Sequence, residues 1–175
     1  MPKAGIKDHF VVDQPEQLKA LGHPLRLRVL ETLGAGEAEA LTNRELAQRL
    51  GVDPGHLHFH VRMLLRAGLI ELSDGGKGRE KPYRAVARTV RVAPELIATG
   101  SASDLRAAML EEVQRGWEKF SREGQFRTAQ VTARIPAERA LELITDLVEK
   151  ARDSETDDEE PVVITMVLHP PSQAE

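Results

Sequence analysis

Apolar residues recur every three or four positions through HPLRLRVLETL, where Leu25, Val29, Leu30 and Leu33 fall on one face. With Pro24 at the first helical position and Gly34-Ala35-Gly36 as a stop, this reads as a helix. Gln17 to Leu21 reads as the end of an earlier one. Thr42 and Glu45 form a capping-box pattern ahead of NRELAQRL, a helix closed by Gly51. Asp53 caps the next helix, Pro54 opens it, and it runs to Ala67 and stops at Gly68. Two strands, Leu69 to Ser73 and Lys81 to Ala87, then flank the loop Asp74 to Arg79. Three glycines and flanking cations suit that loop to lie beside phosphates. A nucleotide-binding phosphate loop is excluded because the required spacing and the following helix are both absent.

Beyond Pro94 the pattern changes. Asp104 to Arg122 carries Leu105, Met109, Val113, Trp117 and Phe120 on one stripe of a long helix. Arg127 to Ile135 alternates as a strand, Pro136 opens a helix reaching about Arg152, and Val162 to Leu168 reads as a last strand. The predicted fold is α+β and mainly helical: a winged helix-turn-helix domain over residues 1–97, then a long dimerisation helix and a small strand-helix-strand region over 98–175. A regulatory role for that second part is a reading the sequence leaves open.

Within the second helix of the helix-turn-helix, a spacing of about 100° per residue puts Leu57, Val61, Leu64 and Leu65 on the core stripe. Gly55, His56, Phe59, Arg62, Met63 and Arg66 take the opposite face, with His60 on its flank. The N-terminal part of such a helix meets base edges in a major groove. Gly55 and His56 are therefore placed for close approach, and Arg62 for a phosphate or a guanine. Phe59 suits a thymine methyl or packing at the helix edge, and the sequence leaves both open. The DNA-contacting set is Thr42, Asn43, Arg44, Asp53, Gly55, His56, Phe59, His60, Arg62 and Arg66, with Lys77, Arg79 and Lys81 on the wing.

His56, His58 and His60 alternate, and a metal site is the competing thought. It is disfavoured because Asp53 serves as the cap, His58 points toward the core border, and a metal would occupy the DNA face. His9, His23 and His169 read as ordinary residues. No metal or cofactor is predicted.

Composition sharpens this. Net charge is −4 over 175 residues, against the expectation for a DNA binder, but it is unevenly distributed. Leu41–Arg91 carries +5, Val92–Glu175 carries −8 and the first forty residues −1. A basic module beside acidic segments confines an anionic partner to one face. No cysteine is present, which excludes disulfides and thiolate chemistry and fits a reducing cytoplasm. Neither a signal-peptide pattern nor a membrane-length apolar run is visible, so a membrane partner is not expected.

HPLRLRVLETL, NRELAQRLGV, and HFHVRMLLRAGLI followed by a basic glycine-rich hairpin together resemble the ArsR-type winged-helix repressors of bacteria over Leu18 to Val92. The resemblance implies a homodimer that binds a near-palindromic operator, often as a repressor. Many members sense metals through a cysteine pair or through His and acidic ligands on the last helix. This chain has no cysteine and no His on its long helix, so metal sensing is not implied. The expected function is a sequence-specific, homodimeric transcriptional regulator of double-stranded DNA, with dimerisation through Leu105, Met109, Val113, Trp117 and Phe120. One alternative adds a small-molecule effector sensed by the C-terminal region. Another is a winged helix used for protein–protein contact, which the +5 module tells against. An enzyme is not expected, because Glu138, Glu142 and Asp146 on one helix form a solvated carboxylate stripe and no nucleophile–base pair is visible.

Overall fold

The structure is a computed structural model, and it describes residues 6–34, 40–74, 80–156, 159 and 162–170. The chain divides into two compact units, Met1–Arg115 and Gly116–Glu175. The first opens with a strand, β1 (Lys7–Val12), followed by α1 (Pro15–Leu21), α2 (Pro24–Gly34), α3 (Asn43–Leu50) and α4 (Pro54–Arg66). A short hairpin follows, β2 (Ile70–Leu72) and β3 (Tyr83–Ala85), then β4 (Ala87–Val92), α5 (Pro94–Ala98) and the start of α6 (Ser103–Phe120).

The expected caps are formed. Thr42 Oγ1 accepts from the Glu45 backbone N–H while the Glu45 carboxylate accepts from the Thr42 N–H at 2.8 Å, so each end of the box satisfies a donor the helix leaves open. Gly51 ends α3 with φ +65°, a left-handed conformation that a side chain would strain. Asp53 Oδ1 accepts from the His56 N–H at 2.9 Å and starts α4.

The core lies where α1, α2, α3 and α4 converge. Leu33, Leu46, Leu57, Leu64 and Leu69 are fully buried there, beside Val29 and Val61. β2 and β3 pair antiparallel with Glu71 opposite Arg84, and these two side chains form an ion pair at 2.6 Å. Leu41 adds a single bridge to Tyr83 on the far side of β3. Gly22 permits a close approach, since a Cβ there would lie 2.6 Å from Asp104 Cβ at the start of α6.

Two strands were not foreseen. β1 pairs with β4 in parallel, with Phe10 opposite Val90 and Val12 opposite Val92. Val12 is fully buried in the core. The short helix α5 was not foreseen either.

The second unit contains the end of α6 and α7 (Ala137–Asp153). The expected strands Arg127–Ile135 and Val162–Leu168 do not form. An alternating pattern yields a strand only where a neighbour completes the hydrogen-bond ladder, and among the described residues neither segment has one. Their apolar residues face solvent accordingly, with Val131 87% exposed. The strand-helix-strand region is thus, among the described residues, a helix flanked by irregular segments.

Candidate nucleic-acid interface

α4 presents an exposed face opposite its core stripe. Gly55, His56, His58, Phe59, Arg62 and Arg66 are all exposed, and Phe59 is 64% so. Gly55, His58, Phe59, Arg62, Met63 and Arg66 line a shallow groove along this face. Among the described residues no ion pair holds Arg62 or Arg66, so both guanidinium groups are available to an anion.

The capping residues of the predicted set are engaged within the protein. Thr42 closes its box, and Asp53 holds the α4 N-terminus. Asn43 donates from Nδ2 to the Pro54 carbonyl at 2.8 Å, fastening the start of α3 to the start of α4. That bond fixes the angle between the two helices of the motif. Arg44 is exposed and lies 3.7 Å from Glu80 beside the hairpin. Lys81 is exposed on the same hairpin, and Lys77 and Arg79 lie outside the described residues.

His60 requires a correction. Helix geometry puts it on the flank of the α4 exposed face, but it is only 4% exposed and belongs to the buried side. Its position three residues after Leu57 and four before Leu64 sets it at the margin of the core stripe. What draws it inward is Arg26 of α2, whose Nη1 lies 3.3 Å from His60 Nδ1. Burial, the neighbouring His23, Arg26 and His56 together push its pKa down to about 4. His58, expected toward the core border, is exposed and lines the groove instead.

Three imidazoles meet at this flank. The His23 and His60 ring centres are 4.4 Å apart, and those of His56 and His60 are 4.9 Å apart, edge to face. Among the described residues no group of three His, Cys, Asp or Glu is arranged to hold a metal ion. His23, read from sequence as ordinary, accepts from the Leu25 N–H at 3.1 Å through Nδ1 and so starts α2. Arg26 was missed as well. The available signal was a cation three and four residues before Val29 and Leu30, on the apolar face of its helix.

The order capped helix, tight turn, exposed basic helix and hairpin is now complete, and residues 21–73 match a family model described as a helix-turn-helix domain. This region is a winged helix-turn-helix. As such it is the DNA-binding part of a transcription regulator, with α3 and α4 as its two helices. No curated protein matches the chain. No helix among the described residues is long and apolar enough to cross a membrane.

The candidate dimerisation stripe divides along α6. Leu105 is buried and Met109 is packed against the core of the first unit. Val113, Trp117 and Phe120 keep exposed surface, and in the second unit the Trp117 ring meets Phe126 edge to face at 5.4 Å.

Proposed function

We propose that the protein is a sequence-specific transcriptional regulator that acts as a homodimeric repressor on a near-palindromic operator. The observation that carries this reading is the exposed face of α4, where Gly55, His56, Phe59, Arg62 and Arg66 stand free of the core beside a hairpin bearing Lys81. His56 and Gly55, in the first turn, meet base edges; Arg62, Arg66 and Lys81 meet phosphates, with Lys77 and Arg79 extending that contact along the wing. Homodimerisation through Val113, Trp117 and Phe120 supplies the second copy, because one helix-turn-helix reads too few base pairs for useful discrimination.

Selection of bound duplexes from a randomised library tests the class directly. An inverted repeat with half-sites about one helical turn apart is the expected product. Absence of any enriched sequence would remove the sequence-specific reading. The wing is tested by salt: Lys77→Ala with Arg79→Ala should flatten the slope of log affinity against log salt by about two units. An unchanged slope would take the wing out of the interface. His56→Ala should relax base preference while leaving affinity for random duplex nearly intact, and an equal loss on both would contradict a base-reading role.

A further inference from the structure

Arg26 is only 6% exposed and, among the described residues, has no carboxylate in ion-pair contact. Its guanidinium is instead divided among two elements. Nε donates to the Ala20 carbonyl and Nη2 to the Lys19 carbonyl at 3.0 Å, both in the last turn of α1. These are carbonyls at the negative end of a helix, which favour a cation. Nη1 lies 3.3 Å from His60 Nδ1 and 3.6 Å from Met63 Sδ, both on α4. Apolar residues of both helices share the core, and such contacts carry no preferred direction. Among the described residues, Arg26 makes the side-chain hydrogen bonds that join α2 to α4.

The proton positions follow from chemistry. A guanidinium has no acceptor, so His60 Nδ1 must be the unprotonated nitrogen and the ring must be the neutral tautomer with its proton on Nε2. Held in that orientation, the His60 ring forms the platform against which His56 rests edge to face. A continuous path therefore runs from the α1 carbonyls through Arg26 and His60 to the first turn of the recognition helix.

We propose that Arg26 is a positioning residue for DNA recognition: it fixes the roll of α4 against α1 and α2, and through the His60 ring it sets the angle at which His56 meets a base edge. This rests on the reading that the first turn of α4 faces DNA. A lysine cannot replace it, because an ammonium is a point charge on a flexible stem and lacks the planar fork that serves both helices at once.

The test uses the full chain and two duplexes: the one selected by the wild type from a random library, and its scrambled counterpart. Arg26→Lys should lower the ratio of affinities about ten-fold while scrambled-duplex binding changes less than about two-fold. His60→Asn keeps an acceptor near the Nδ1 position but removes the ring, so it should melt close to wild type and still lose discrimination. It also stands in if Arg26→Lys fails to fold. Nitrogen-15 NMR of the wild type should show His60 with a proton on Nε2 and a bare Nδ1, and Arg26→Lys should disturb that signature. Equal losses on both duplexes, or full discrimination in His60→Asn, would overturn the positioning role. A wild type that binds no duplex, with the His60 signature intact, would instead overturn the DNA-binding reading beneath it.

Discussion

Replacing Trp117 by Asp is expected to convert a dimer into a folded monomer. The indole is 56% exposed within its own chain and touches Phe126 along one edge, so a single chain loses little on its removal. In a symmetric dimer the same residue occurs twice near the axis, and each copy would place an unpaired carboxylate in apolar surroundings. The dimer dissociation constant should rise by more than about a hundred-fold. Sedimentation of wild type and Trp117→Asp at micromolar concentration, together with a thermal melt, reads both consequences. A wild type that sediments as a monomer there would end the dimer proposal and the expectation of a palindromic operator with it. A variant that no longer melts cooperatively would show that Trp117 supports the fold.

The second large effect is a loss of stability on mild acidification. Folded His60 has a pKa of about 4, while in the unfolded chain the ring returns to its ordinary 6.5. Between these values the unfolded chain takes up a proton that the folded chain does not. The associated stability is complete above pH 6.5, declines as pH falls and is exhausted near pH 4, with a ceiling of about 3 kcal/mol. The groups around the ring are His23 before α2, Arg26 on α2 and His56 on α4, with Asp104 of α6 acting on Arg26 and Glu111 of α6 on His23. His23 is lowered too, by burial first and then Arg26, and it contributes with the same sign. Glu31 and Glu112 contribute with the opposite sign. Burial raises both, helped by repulsion from Glu112 on Glu31 and from Glu111 on Glu112, so the folded chain binds their protons first. Comparison with His60→Asn cancels these shared contributions. Urea unfolding at pH 7, 6 and 5 should show the wild type losing stability more steeply than the variant. Parallel curves would mean that His60 does not titrate as its burial implies.

The helix-turn-helix was legible because its signals are local. A Thr-x-x-Glu box, a Gly at a left-handed turn and an Asp-Pro helix start each act within one turn of chain, and α3 and α4 begin where they were expected. What escaped depends on distant partners. β1 and β4 are short segments that pair with each other across some eighty residues, and nothing near either reveals the pairing. His60 sits at the margin of its helix stripe, where periodicity does not decide inside from outside; Arg26, on another helix, decides it. Residues 127–135 and 162–168 show the converse. Alternation was present, but a strand is a property of two segments, and among the described residues each lacks the second. The exposed set Gly55, His56, Phe59, Arg62 and Arg66 was readable from helix geometry alone, whereas the capping and clamping bonds that Thr42, Asn43 and Asp53 make within the protein bring in partners on neighbouring turns and on the other helix.

The parallel pairing of β1 with β4 also bears on how the protein comes to be folded. Lys7 lies opposite Ala87, so the whole motif from α1 to β3 is looped out between two strands that meet only when it has collapsed. Closing such a loop carries a larger entropic cost than forming any contact inside it. The helices should therefore assemble first and the clasp last, as a slower step set by long-range contact. During synthesis β1 would wait, unpaired, until β4 some eighty residues later had emerged, its Phe10 and Val12 without their partners Val90 and Val92. A chain trimmed to the recognisable motif at 21–73 would never reach that step, and would leave the core without Val12, Ala85 and Leu105.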